Sequence, residues 1–351
     1  MANLQTTIGS ITLKNPVICG SGEHTMTAAG IRAAIASGAG AVVAKSTNES
    51  QAAKTQLDKT DYRLLGKDWQ ALPWDFNAPG DASIFCRSGL VQQAFEPWMR
   101  QLLALDQEAA AVGSYVIPSL ILSGLYQCVA YAQAIEAMGF RILEVNIGAP
   151  HGDEAAKGAI VLERDASRIE TIVSRLRAAT RLPLWIKLTG QSEDPAALAA
   201  AAQRSGADSV VLMGRFMGFM PDLETEAPLL GTSAALGGGW ALPLTARCIA
   251  LARKRVGRDY PLLATNGARS GLDVARFLLS GAAATEITSL VLMQGYGALS
   301  GCIAELDAYL DRRGKSAGEL LGASADRLQS YAEQSDRPEY WREFAPPTGS
   351  R

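Results

Sequence analysis

Short apolar runs alternate along this chain with longer stretches in which apolar positions recur every three or four residues. The runs at 17–22, 41–47, 115–122, 142–147, 183–189, 209–214, 261–267 and 284–290 are apolar on both faces and too short for helices, so they predict buried strands. The stretches at 27–37, 128–138, 165–179, 194–205, 245–256 and 271–280 carry the amphipathic or Ala-rich pattern of helices. Helices stop on small residues just before the next strand, as at Ser37-Gly38-Ala39-Gly40, Ser205-Gly206-Ala207 and Ser280-Gly281-Ala282. Glycine accepts the left-handed conformation of a helix C-terminus without steric penalty. Eight strands separated by helices predict an α/β fold of the (β/α)8, or TIM, barrel class. An open dinucleotide-binding sheet would want Gly-x-Gly-x-x-Gly after its first strand, and Cys19-Gly20-Ser21-Gly22-Glu23-His24 carries half of that pattern.

Two segments interrupt the alternation inside a barrel expected to span 1–315, and residues 316–351 read as a peripheral C-terminal tail. Residues 48–100 are polar and aromatic, with Trp69, Trp74, Phe76, Phe85 and Trp98; residues 214–243 are rich in Gly, Met and Pro and end in Gly237-Gly238-Gly239-Trp240. Insertions this long at the C-terminal face of a barrel are expected to be lids or dimer contacts, the alternative being that their aromatics only pack them onto the barrel.

Composition narrows the function classes. A net charge of −2 leaves no basic excess to neutralise phosphates, which argues against a nucleic-acid partner. No apolar run reaches the ~18–20 residues of a membrane span, and the opening Met-Ala-Asn-Leu-Gln-Thr-Thr lacks the layout of a signal peptide. Cys19, Cys86, Cys128, Cys248 and Cys302 are widely spaced and form no Cys-x-x-Cys pair, so no zinc or iron–sulfur site is indicated. Reduced thiols in a cytoplasmic protein are expected.

Barrel active sites collect at the carboxyl ends of the strands. The polar residues there are Ser21, Gly22, Glu23 and His24 after the first strand, Lys45 and Ser46 after the second, and Ser123 after the third. The fourth delivers Asn146 and His151, the fifth Lys187 and Thr189, the seventh Asn266 and Gly267, and the eighth Thr288 and Ser289. Two lysines aimed into a barrel mouth are costly unless they meet an anion or an electron-rich ring. Asn266-Gly267-Ala268-Arg269-Ser270-Gly271 ahead of a helix, with Thr288-Ser289 one unit later, is the arrangement of a phosphate grip, the alternative being tight turns alone. Lys187 also has the alternative of an internal ion pair.

The segment Leu143-Glu144-Val145-Asn146-Ile147-Gly148-Ala149-Pro150-His151-Gly152-Asp153 resembles the substrate loop of the dihydroorotate and dihydropyrimidine dehydrogenases. That loop reads Asn-x-Ser-Cys-Pro-Asn/His, with Ser-Ser in some branches. The resemblance runs through residues 5–310 and is closer to the dihydropyrimidine side, because Pro150 is followed by His151 and Gly152. It implies FMN as cofactor, with Lys45 and Lys187 against the isoalloxazine ring. By the same resemblance Gly20, Ser21, Gly22, Ser46, Asn146, Gly238 and Gly239 line the ring, and Asn266, Gly267, Thr288 and Ser289 hold the phosphate. A homodimer is implied as well. The electron donor or acceptor stays open, and a separate electron-transfer partner is one option.

The substrate side departs from the family pattern. Ala149 stands where the family has its catalytic Cys or Ser. The Gly-Leu-Pro-Asn position reads Gly89-Leu90-Val91-Gln92, and the Asn-Thr or Asn-Ser after strand six reads Met213-Gly214. Glu23, Gln92, Asn146, His151 and Met213 are the expected substrate contacts. Met213, Met217, Met220, Phe216, Phe219 and Trp240 suggest a less polar small-molecule substrate, or else ordinary lid packing. With no base at Ala149, His151 is the first candidate to move a proton, His24 with Glu23 the second, and Cys86 and Arg87 outsiders. The leading expectation is an FMN-dependent oxidoreductase acting on CH–CH groups. The alternatives are an FMN-dependent oxygenase, a barrel aldolase forming a Schiff base on Lys187, and a non-catalytic flavin-binding homologue.

Overall fold

The computed structural model describes residues 2–148, 163–214 and 216–347. The chain starts with an antiparallel hairpin, Thr6–Ile8 (β1) and Ile11–Leu13 (β2), turned at Gly9. Its alternation sends Ile8, Ile11 and Leu13 to one buried face. These three meet Ile18, Val43, Ile117, Ile142, Trp185, Val211 and Leu263, so the hairpin closes the floor of an apolar barrel interior.

The remaining strands follow in chain order. Val17–Cys19 (β3) and Ala41–Val43 (β4) precede the first insertion, which contributes Asp61–Leu65 (β5), Ala71–Leu72 (β6) and Ser83–Arg87 (β7). Next come Val116–Ile117 (β8), Ser119–Ile121 (β9), Leu143–Asn146 (β10), Leu184–Lys187 (β11) and Ser209–Leu212 (β12). The second insertion adds Phe216–Gly218 (β13) and Ala234–Gly238 (β14), and Leu262–Thr265 (β15) and Ala282–Ile287 (β16) finish the set.

The parallel sheet runs β8-β4-β3-β16-β15-β12-β11-β10-β9. Its two ends, β8 and β9, are halves of one strand broken at Pro118, which has no N–H to donate to a ladder. β4 pairs with the first half and β10 with the second, so eight strands close into a barrel. This is the (β/α)8 architecture expected from the apolar runs.

Each barrel strand alternates between two environments. In β11, Leu184 and Ile186 face the surrounding helices while Trp185 faces the barrel axis. Lys187, two residues after Trp185, therefore also points inward. By the same period Ile142 is followed inward by Glu144 and then Asn146. A polar layer thus rests directly on the apolar plug.

Helices cover the outside with ordinary capping. Thr27 accepts from the Gly30 amide, Asp194 from Ala197 ahead of a Pro195 start, and Ser270 from Asp273. Trp98 sits in the helix Phe95–Ala110 rather than in a loop; it is fully buried, and its Nε1 donates to the Lys45 carbonyl at 3.3 Å.

The two insertions pair with each other. They form one antiparallel five-stranded sheet, β13-β14-β7-β5-β6, with Phe85 opposite Leu236 and Arg63 opposite Phe85. Residues beyond the last long helix, Gly297–Arg313, form short turns that are mostly exposed. Among the described residues, no helix is long and apolar enough to cross a membrane.

Candidate active site at the barrel mouth

The strand ends of the barrel and the insertion sheet enclose one cleft with about 1090 Å³ of atom-free space, part of it open to solvent. Its floor is the polar layer above Trp185. Its walls mix apolar groups such as Leu90, Ile121 and Phe216 with hydroxyls, amides and two lysines.

Lys45, at the end of β4, is buried and donates from Nζ to Glu23 Oε1 at 3.1 Å. The other carboxylate oxygen of Glu23 accepts from the Tyr62 hydroxyl, delivered by β5 of the first insertion. Burial alone would raise the Glu23 carboxyl, but the Lys45 charge and the Tyr62 and Lys45 hydrogen bonds hold it below the usual range. Glu23 is therefore an ionised group on the cleft wall, with a phenol on one oxygen and an ammonium on the other.

Lys187 makes a second arrangement on the floor. Its Nζ donates to Oε2 of Glu286 on β16 and lies 3.9 Å from Oε1 of Glu144 on β10. Ser119, on β9, donates to Glu144 Oε1 at 3.1 Å. Burial, with the Glu286 carboxylate beside it, pushes the Glu144 carboxyl well above the usual range.

The residues expected to grip a phosphate come from separate chain segments. Asn266 and Gly267 follow β15 and both have positive φ, 71° and 112°. Thr288 and Ser289 follow β16, and all four residues line the cleft together with Gly237. A Cβ at Gly267 would come within 2.6 Å of the Leu242 backbone, so only glycine passes there without a shift. Left-handed backbone at a non-glycine residue such as Asn266 is strain of the kind held at functional sites.

Of the residues predicted from sequence, Ser21, Gly22, Glu23, Lys45, Ser46, Asn146, Lys187, Asn266, Gly267, Thr288 and Ser289 line the cleft. Others are placed elsewhere. Gly20 packs against Thr288, Gly238 against Ser83 and Gly239 against the Arg269 side chain. Gln92 is exposed and bound to Asp58, although Ser88, Gly89 and Leu90 of its loop reach the cleft. Met213, at φ 69°, is buried in the layer between barrel and helices.

His24 lies behind Gly22, with its ring 6.3 Å from that of Tyr296 and both ring nitrogens buried without a partner. Burial lowers it to about 4, so the imidazole is neutral. Ala149 and His151 lie outside the described residues. Of the aromatic set, Phe216 lines the cleft against Trp240, while Phe219 is exposed.

Among the residues of the site that carry no role in the sequence reading are Tyr62, Ser119, Glu144 and Glu286. For the two glutamates a signal was present. Each is a carboxylate inside an apolar strand run, and a buried charge needs a partner. Tyr62 lies in an insertion with no periodic pattern to aim it. Among the described residues, no group of three or more His, Cys, Asp or Glu could hold a metal ion.

Similarity to known proteins agrees with this geometry. The family model for dihydroorotate dehydrogenase matches residues 67–310, well over half of the chain. The catalytic subunit of dihydroorotate dehydrogenase B (NAD(+)) from Methanocella arvoryzae is 28% identical over 316 residues, covering 90% of this chain and 95% of the relative. The same subunit from Methanothermobacter thermautotrophicus is 25% identical over 328 residues, covering 92% and 99%. The dihydroorotate dehydrogenase A (fumarate) of Lactobacillus helveticus is 28% identical over 194 residues, covering 54% and 61%. A closed barrel with its cleft at these strand ends and a match of this extent mean that the chain belongs to the dihydroorotate dehydrogenase family, a family of oxidoreductases.

Proposed function

We propose that this chain is an FMN-dependent oxidoreductase that works on CH–CH groups of a small cyclic substrate less polar than a pyrimidine. The observation that carries this reading is the convergence of Lys45 and Lys187 with Asn146, Asn266–Gly267 and Thr288–Ser289 on one cleft. Hydroxyls and a glycine turn at the ends of β15 and β16 suit a phosphate. Two ammonium groups on a mixed apolar wall suit a flat, electron-rich ring. FMN, when bound, supplies the hydride-accepting and hydride-donating centre.

The chain's own residues then have separable roles. Thr288, Ser289, Asn266 and Gly267 hold the phosphate end. Lys45 and Lys187 set positive charge beside the ring, each moderated by a carboxylate. Ser21, Gly22, Ser46 and Asn146 position the ring and substrate between them. Phe216 and Leu90 give the substrate side an apolar wall, which favours a ligand with fewer hydrogen-bonding groups.

With Ala149 at the family's base position, the proton of the reaction needs another carrier. The ionised Glu23 carboxylate, hydrogen-bonded by the Tyr62 phenol, faces the cleft as one carrier, and His151 is the other carrier this reading admits. His24, neutral and set behind Gly22, has a packing role in it. The Schiff-base alternative is disfavoured, because it needs a neutral amine ready to attack, whereas Lys187 Nζ is engaged with Glu286. The name of the relatives as catalytic subunits supports a second protein that takes part with the chain, and a cytoplasmic homodimer belongs to the same proposal.

Visible absorbance of the purified protein tests the reading. One FMN per chain, bleached by dithionite and lost when Lys187 and Ser289 are replaced together, is the expected result. A colourless protein that takes up no FMN on reconstitution would remove it.

A further inference from the structure

The floor of the cleft holds more acid than base. Glu144 and Glu286 are 0% and 1% exposed, and Lys187 is the ammonium between them. Two ionised carboxylates beside one ammonium would leave a net negative charge in the barrel interior, where an uncompensated charge is expensive. The oxygens are also unevenly used. Lys187 takes Oε2 of Glu286 and Ser119 donates to Oε1 of Glu144, while Glu144 Oε2 and Glu286 Oε1 are buried without a hydrogen-bond partner. Both carboxyl groups lie against the same Lys187 ammonium. One proton held by the two carboxyl groups makes the three-residue group neutral.

A path leads from this pair to the cleft. Ser46 Oγ lies 2.9 Å from Ser119 Oγ, and Ser21 Oγ lies 3.4 Å from Ser46 Oγ. Ser119 is fully buried, whereas Ser46 and Ser21 line the cleft. A hydroxyl both donates and accepts, so a row of three can hand a proton along.

We propose that Glu144 and Glu286 share one stored proton beneath the cleft, and that Ser119, Ser46 and Ser21 carry it to and from the ligand above. In the outward direction the protonated Glu144 carboxyl turns to present its O–H to Ser119, and that O–H bond breaks as Ser119 gains the proton. Ser119 passes its own proton to Ser46, Ser46 to Ser21, and Ser21 to the ligand. The pair is left as two carboxylates, refilled by the reverse path from solvent, and no electron moves. Lys187 faces the pair from β11; the Cys19 thiol of β3, packed on the helix side of its strand, is kept protonated by burial and the Glu286 charge. The store's part in a redox reaction rests on the proposed flavin chemistry; its existence does not.

Infrared difference spectroscopy of the flavin-free protein at neutral pH tests the store. The expected result is a carbonyl stretch of a protonated carboxylic acid that shifts in D2O and disappears in both Glu286→Gln and Glu144→Gln. Either variant leaves one carboxylate for Lys187 alone and no need for the proton. Absence of the band in the unmodified protein, or its persistence in Glu286→Gln, overturns the shared proton. For the path, Ser119→Ala is expected to slow deuterium exchange of the band by about tenfold or more, the factor that corresponds to losing one hydrogen bond. Ser114→Ala, a buried hydroxyl bonded to the Ala39 carbonyl, controls for loosening of the barrel and is expected to leave the rate unchanged. Equal rates in Ser119→Ala and the unmodified protein overturn the path. A protein that binds no FMN but shows the band and its loss fails the proposed function and keeps the store.

Discussion

Lys45 Nζ donates to Glu23 Oε1 across 3.1 Å, tying the end of β4 to the turn that follows β3. With Tyr62 on the other oxygen, the carboxylate links two barrel strands to the insertion sheet. The charge that Lys45 offers the cleft is therefore moderated on the spot, and Lys187 is moderated in the same way by Glu286 on the far side. The two lysines that the sequence aims into the barrel mouth are each matched by a carboxylate once folded.

Replacing Glu23 by Gln should cost about 1.5–3 kcal/mol at neutral pH, the usual worth of hydrogen bonds to a charged group. The Glu23 carboxyl is held below its ordinary value of 4.5 in the folded protein. Its contribution is thus full above that value and is lost as the pH falls through the lowered one. Urea midpoints of the two proteins should differ above pH 5 and converge in stronger acid; a difference that persists unchanged at low pH would count against the ion pair.

Lys187→Ala should be among the most damaging single changes in the barrel, destabilising by about 3–5 kcal/mol because it leaves buried carboxylates without their cation. Lys187→Met keeps most of the volume and should lose a similar amount. If the two variants differ instead by the packing of the stem alone, charge is not what Lys187 supplies. Flavin content and reducibility, read from visible absorbance, should fall in both.

Gly267→Ala places a Cβ 2.6 Å from the Leu242 backbone at a φ of 112°, which side chains rarely adopt. A loss of about 1–3 kcal/mol is expected from the strain. The turn must also shift away from the Leu242 backbone, so FMN retention on gel filtration should drop more than retention in Gly257→Ala, where nothing lies within 4 Å of the added carbon. Equal retention would detach this turn from cofactor binding.

His24 should stay neutral through the physiological range. Burial lowers it to about 4 from an ordinary 6.5, so the unfolded chain takes up more protons between those values. Stability must then fall as the pH drops from about 6.5 towards 4, by on the order of 3 kcal/mol, and His24→Gln should flatten that limb. Imidazole NMR signals of the two-histidine chain would expose a normally titrating His24 at once.

The hydrophobic pattern alone determined much of this protein. Eight apolar runs between helices are enough to place the strands, and their carboxyl ends carry Lys45, Asn146, Lys187, Asn266 and Thr288, because a parallel strand buried on both faces leaves most polar groups to its tip. What the pattern does not contain is which inward residues meet. Glu144 and Glu286 lie on strands separated by more than a hundred residues in sequence, and both sit within apolar runs where alternation says only that they face the axis. Closure of the sheet through the strand broken at Pro118 brings them to one lysine. Tyr62, likewise, reaches Glu23 only because two unpatterned insertions pair into a single sheet over the mouth. Period-two alternation is a local property of the backbone, whereas contact across a barrel depends on register and closure, which long-range pairing decides.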